Sequence, residues 1–140
     1  HPNPGASVFL SRNVNAKIVN AGDGTHEHPT QALLDGYSIR EKYGKVKGKK
    51  IVIVGDILHS RVALSNIYCL QKLGAEVKVC GPSSLMPKHL NALGISHFSN
   101  LREASNSLNA SSINIMSVFV ARALVKPTLC CMRPDSWFGY

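Results

Sequence analysis

Four consecutive β-branched residues, Ile51-Val52-Ile53-Val54, closed by Gly55-Asp56, constrain this chain more than any other stretch. A run with no polar alternation suits a strand covered on both faces, and such strands belong to parallel sheets with helices on either side. From about Ser60 to Leu73, apolar positions at Val62, Leu64, Ile67, Leu70 and Leu73 predict a helix, with Gly74 as its C-terminal cap. Glu76–Cys80 reads as the next strand, stopped by Gly81-Pro82. Strand, helix and strand in about thirty residues predict a βαβ unit with a right-handed crossover. Beyond it the pattern predicts a short helix at Pro87–Leu93, a short strand at Ile95–Phe98, a helix at Leu101–Leu108 and a buried strand at Ile113–Val120. After that the periodicity stops. Val125-Lys126-Pro127 and Cys130-Cys131-Met132-Arg133-Pro134 fit neither a helical nor a strand period, and the adjacent cysteines are given no role.

Upstream, Ile18-Val19-Asn20-Ala21 reads as a strand running into the turn Gly22-Asp23-Gly24. Pro29 suits the first turn of a helix, where its missing N–H is no loss. Apolar residues at Ala32, Leu33, Tyr37 and Ile39 follow near helical spacing, and Gly44 ends the run, so a helix is expected over about Pro29–Tyr43. Lys45-Val46-Lys47-Gly48-Lys49-Lys50 is a polar connector. An α/β sheet thus begins near residue 48, preceded by a segment that belongs to something else.

Composition removes several classes. At 140 residues, 44% hydrophobic and 17% charged, the chain is globular, sized as one ordinary domain or as pieces of a larger one. No apolar run approaches the ~20 residues of a membrane helix. The opening His1-Pro2-Asn3-Pro4 is neither an initiator nor a targeting segment, which reads as a fragment or a processed chain. Four cysteines with no CxxC spacing indicate neither a zinc ribbon nor a disulfide framework, and a reduced, cytoplasmic setting is expected. The net charge of +8 favours anionic partners, or simply a solvated basic face. Lys42, Lys45, Lys47, Lys49 and Lys50 cluster around a single aromatic, Tyr43, which argues against nucleic acid, where stacking aromatics are interleaved with basic residues.

Two segments could carry chemistry. In the first, His26-Glu27-His28-Pro29-Thr30-Gln31, the i, i+2 histidines would suit a metal on a strand. Alternatively, His28 sits at a helix N-terminus, where the helix dipole disfavours a charged ring and a neutral imidazole can donate to a polarised carbonyl. Gln31, three residues on, faces the same way with both a donor and an acceptor. An ordinary helix cap is the plain alternative. The second segment, Gly55-Asp56-Ile57-Leu58-His59-Ser60-Arg61, leaves the carboxyl end of a buried strand, where open α/β sheets gather ligands. Arg61 opens the next helix, and its planar fork can hold a carboxylate through two parallel bonds; a surface ion pair is the alternative. The second and third glycines of a dinucleotide fingerprint are missing.

The run from Asn20 to Asp35, Asn-Ala-Gly-Asp-Gly-Thr-His-Glu-His-Pro-Thr-Gln-Ala-Leu-Leu-Asp, closely resembles aspartate carbamoyltransferase. So do Ile53–Ala63, with its Gly-Asp-Ile-Leu-His-Ser-Arg, and the opening His1-Pro2 and Gly5-Ala6. The likeness covers about residues 1 to 115. Ornithine carbamoyltransferases, the sister family, usually carry Cys where Thr30 stands and lack the second run. The resemblance implies an α/β chain holding the end of one α/β domain, an interdomain helix and then a Rossmann-like parallel-sheet domain, an incomplete aspartate/ornithine carbamoyltransferase fold. The expected division is 1–28 for the end of the carbamoyl-phosphate domain, 29–44 for the interdomain helix, 45–116 for a partial aspartate domain and 117–140 for an atypical tail. It further implies carbamoyl transfer from carbamoyl phosphate to L-aspartate, a step of pyrimidine synthesis, with no metal or organic cofactor. In full-length relatives the chain forms a homotrimer, and regulatory chains are a partner the resemblance leaves open. By resemblance His28 donates to the carbamoyl oxygen, Gln31 contacts the carbamoyl amide, Arg61 contacts an aspartate carboxylate, and His1 lies beside an active-site arginine that would precede it. Asp23, Gly24 and Thr25 shape the loop.

There are departures. The family's phosphate-binding Ser-Thr-Arg-Thr-Arg motif and the lysine lent by a neighbouring subunit are not in these residues. An Arg-x-Gln pair is expected after the Ile113 strand, but Arg122 is followed two places on by Leu124, and Leu64 stands where a second Arg is common. The tail after about Met116 reads as sequence foreign to the family, as a shifted reading frame would give. These 140 residues alone are therefore expected to lack turnover, with a non-catalytic remnant or a basic anion- or nucleic-acid-binding piece as alternative readings.

Overall fold

The computed structural model describes residues 3–107, 113–118 and 131–132. His1, Leu108, Phe119, Val120, Arg122, Leu124 and Cys130, on which several sequence expectations fall, lie outside the described residues. In chain order the elements are α1 (Ala6–Asn13), α2 (Pro29–Tyr43), β1 (Lys50–Gly55), α3 (Arg61–Lys72), β2 (Glu76–Cys80), β3 (Ser96–Phe98), α4 (Leu101–Asn106), β4 (Ile113–Val118) and β5 (Cys131–Met132). Two short 3-10 turns, Ser83–Leu85 and Leu90–Leu93, stand between β2 and β3.

The sheet order is β3-β2-β1-β4-β5. β1 is parallel to both β2 and β4, β3 is parallel to β2, and the two-residue β5 pairs antiparallel with β4. The expected α/β class and parallel sheet are therefore present, with β1 at the centre. Side chains of successive strand residues leave opposite faces. Ile51 and Ile53 pack with Ile39, Ile67 and Leu70 of the helices α2 and α3, while Val52 packs with Cys80 and Ala104 on the face that α4 covers. Burial on both faces is what the unbroken β-branched run demands.

The chain runs outward from β1 to β2 and β3, then returns through α4 to place β4 on the other side of β1. Such a reversal opens a crevice at the carboxyl ends of the strands where it occurs. Gly55 ends β1 there and leads directly into the Asp56–Arg61 loop.

Several expectations need correcting. Ile18–Ala21 is not a strand: Ile18 and Val19 are both exposed, and no described strand pairs with them. The nearest ladder contact is an isolated bridge between Asp23 and Glu27. A short apolar run becomes a strand only when a neighbour satisfies its backbone. Helix α1 was not predicted at all. In α2 the buried stripe is Ala32, Asp35, Gly36 and Ile39, while Leu33 and Tyr37, expected to face inward, are exposed. The Pro87–Leu93 helix reduces to the 3-10 turn Leu90–Leu93, and the helix beginning at Leu101 closes at Asn106.

The crevice end is tightly built. A Cβ on Gly81 would lie 2.5 Å from the Gly55 carbonyl oxygen and 2.7 Å from Met86 Cε. Gly81→Ala should therefore destabilise the fold by about 1–3 kcal/mol through overpacking against backbone. Urea unfolding would show this as a lowered midpoint, and an unchanged midpoint would contradict the close approach.

Candidate functional site

The site begins with two helix N-termini. His28 is the N-cap of α2 and Ser60 that of α3. Ser60 Oγ accepts the Ala63 amide at 3.1 Å, an ordinary cap. His28 caps differently: its ring Nδ1 faces the Gln31 amide at 3.3 Å and Thr30 Oγ1 at 3.3 Å. A backbone N–H can only donate, so Nδ1 must hold a lone pair. The ring that makes this bond is neutral, with its proton on Nε2, and Nε2 has no hydrogen bond among the described residues. Capping therefore selects the tautomer and leaves a donor at the far side of the ring.

The loop from Gly22 to His28 lies along one face of α3. Arg61 Nη1 donates to the Gly24 carbonyl at 2.8 Å. One helical turn later, Ser65 Oγ accepts the His28 amide at 2.9 Å. The guanidinium also passes over Gly22, where a Cβ would make ordinary contact with Nη1 at 3.4 Å; it is the φ of +134° there that calls for glycine. The structure thus brings Arg61 and His28 to the same stretch of loop. One of the five N–H donors of Arg61 is committed to Gly24, and the others make no hydrogen bond among the described residues.

Gln31 takes a position that its sequence did not reveal. Its Nε2 donates to Asp35 Oδ1 at 2.9 Å, and Asn66 Nδ2 on α3 donates to Asp35 Oδ2 at 2.7 Å. Asp35 is 3% exposed and Asn66 is fully buried. Sequence reasoning missed both, although Asp35 stands four residues after Gln31 inside an otherwise apolar stripe, which is where a buried carboxylate would have been sought.

The loop itself is organised by Asp23. Its side chain is 1% exposed and accepts the amides of Gly5 at 2.9 Å and Ala6 at 3.1 Å, so it caps α1 from a distance. The Gly5 amide foremost, then the His26 ring and the Ala6 amide, hold the Asp23 carboxyl below its ordinary value against the opposing effect of burial. At the crevice, Asp56 accepts the His59 amide at 3.0 Å and its ring Nδ1 at 2.9 Å. Burial raises the Asp56 carboxyl, and the hydrogen bonds from the His59 amide and ring and the Leu58 amide more than reverse this, leaving it below its ordinary value. Burial pushes the thiols of Cys69 and Cys80 up, away from a nucleophilic role. Among the described residues no three His, Cys, Asp or Glu side chains converge as a metal site, so the i, i+2 histidines gain no third ligand there. No described helix is long and apolar enough to cross a membrane.

No family model matches the chain. The aspartate carbamoyltransferase catalytic subunit of Flavobacterium psychrophilum is 75% identical over 104 residues, which is 74% of this chain and 34% of that protein. The corresponding subunit of Cytophaga hutchinsonii is 56% identical over 131 residues, 92% of this chain and 42% of that protein. Among solved structures, an aspartate transcarbamoylase from Trypanosoma cruzi in complex with carbamoyl phosphate and aspartate matches with a TM-score of 0.65 at 27% identity, over 84% of this chain and 42% of that one. The chain spans 34% to 42% of the length of these two curated relatives.

The Asp23 cap carries a pH dependence of definite sign. A carboxyl held below its unfolded value of 3.8 contributes stability that is fully present above that value and lost as the pH falls through the lower folded one. On acidification the amide chemical shifts of Gly5 and Ala6 should move together with a midpoint below 3.8. In Asp23→Asn that step should vanish. A midpoint at or above 3.8 in the unaltered protein would refute the cap.

Proposed function

Because this chain belongs to the aspartate carbamoyltransferase catalytic-subunit family, over about a third of its relatives' length, we propose that it supplies part of an active site for carbamoyl transfer to L-aspartate. In that reaction the amine nitrogen of aspartate forms a bond to the carbamoyl carbon of carbamoyl phosphate. The bond from that carbon to the phosphate oxygen breaks, the amine loses a proton, and N-carbamoyl-L-aspartate and phosphate leave. Negative charge grows on the carbamoyl oxygen as the amine adds, so a fixed donor aimed there lowers the barrier.

The His28 ring carries this reading. Its Nδ1 is occupied by the Gln31 amide, which leaves Nε2–H as a neutral donor suited to the carbamoyl oxygen. Gln31, one turn along the same helix, meets the carbamoyl amide, and Arg61 holds a carboxylate of aspartate through its remaining donors. Because the Gly22–His28 loop is fastened to α3 at Arg61 and Ser65, the groups for the two substrates are set relative to one another before either arrives. The T. cruzi neighbour, solved with carbamoyl phosphate and aspartate, supports this choice of substrates. By family likeness the phosphate clamps and a lysine from a neighbouring subunit complete the site, in a cytoplasmic trimer serving pyrimidine synthesis.

The test uses a complete catalytic chain that carries these residues. His28→Ala should lower kcat about 10²–10³-fold, the usual cost of an oxyanion donor. Arg61→Ala should raise KM for aspartate by about 10- to 100-fold, as expected for lost charge-assisted bonds. A polypeptide of these 140 residues alone should yield no carbamoyl aspartate. Carbamoyl aspartate formed at an undiminished rate by His28→Ala would overturn the assignment.

A further inference from the structure

Gln31 could present either end of its amide to a substrate, because the carbonyl and amino ends are nearly identical in shape. The buried carboxylate of Asp35 removes that freedom. A carboxylate only accepts, so the group facing it at 2.9 Å must be Nε2, and Oε1 is then the end left over. Gln31 Oε1 has no hydrogen bond among the described residues. Asp35 is itself held from α3 by Asn66 Nδ2 at 2.7 Å. The Asn66 amide shows how strongly this direction is imposed, since its Oδ1 is buried with no hydrogen-bond partner. Turning that amide over would set an oxygen against the carboxylate, which is worse than one orphaned acceptor.

We infer that Asp35, braced by Asn66, is a positioning residue that fixes Gln31 with its carbonyl oxygen outward, and so selects a carbamoyl group over its acetyl isostere. This rests on the carbamoyl-transfer reading above. A carbamoyl group carries N–H donors where an acetyl group has a methyl, and an outward oxygen rewards only the former. An outward amino end would instead meet the carbamoyl N–H groups donor to donor. Placing the anchor four residues along the same helix holds a flexible side chain in one arrangement before substrate binds.

The experiment compares carbamoyl phosphate with acetyl phosphate in a complete catalytic chain carrying these residues. Asp35→Ala should raise KM for carbamoyl phosphate about tenfold while changing the inhibition constant of acetyl phosphate by no more than about twofold. Asp35→Asn, which can still accept from Gln31, should recover most of that loss. In a Gln31→Ala background, Asp35→Ala should add nothing further, because the two residues act as one unit. Equal weakening of both phosphates, or additive effects of the two substitutions, would show a merely structural carboxylate and overturn the inference. If Asp35→Ala does not fold, the side-chain amide protons of Gln31 in the unaltered protein decide. Exchange about tenfold slower than in a free glutamine supports the anchor, and exchange at the free rate removes it. A complete chain with no carbamoyl transfer at all would overturn the reading of function and this inference with it. Transfer that ignores Asp35 would overturn the inference alone.

Discussion

Strand β1 has no exposed face to spare. Ile51, Val52 and Ile53 are fully buried, with β2 on one side, β4 on the other, α2 and α3 against one surface and α4 against the opposite one. A strand so enclosed cannot slip by one residue, since that would exchange the side chains packed against the two faces. Its carboxyl end is therefore a fixed point, and the loop from Asp56 to Arg61 starts from it. The Asp56 carboxylate, bonded to the amide and ring of His59, and the Ser60 cap shape that loop, so Arg61 enters α3 in a determined orientation. The position of one guanidinium is thus a consequence of sheet packing about six residues earlier.

From α3 the order passes back to the earlier segment. Gly36 lets α2 approach closely, since a Cβ there would already be 3.1 Å from Leu73 Cδ1. At this contact Asp35 and Asn66 pair across the two helices, and Ser65 holds the His28 amide. Polar groups buried between helices cost free energy unless each finds a partner, and among the described residues all buried side-chain polar atoms but Asn66 Oδ1 do. The same bonds that satisfy this contact also orient His28 and Gln31. Stability and function draw on one network, so a substitution within it is expected to move both.

What the sequence revealed, and what it hid, follows from how far each cause acts along the chain. Helix α2 was legible to its ends because its signals are local: Pro29 in the first turn, His28 before it and Gly44 after it. The βαβ unit was legible because a buried strand needs an unbroken apolar run and the amphipathic α3 follows at once. Helix α1 was not, because its cap is Asp23, seventeen and eighteen residues beyond the amides it binds. The stretch Ile18–Ala21 has strand composition and no strand partner, and composition alone cannot supply one. Arg61 could be singled out from its place after β1, and His28 from its place before α2, since both depend on element ends. The Gly24 contact of Arg61 and the Ser65 contact of His28 each join residues 37 positions apart, and only the folded chain shows them.

Asp35 marks the boundary between these two kinds of information. In sequence it breaks an apolar stripe, which marks it as unusual without saying why. In the fold it is a carboxylate that receives two amides and imposes one direction on both. An apolar residue there would relieve the burial of charge, and well-packed apolar replacements of buried polar groups are often no less stable. An apolar residue would also leave Gln31 free to rotate. The presence of a buried carboxylate beside a site residue is therefore better explained by orientation than by stability, because orientation is the one property that hydrophobic packing at this position cannot provide.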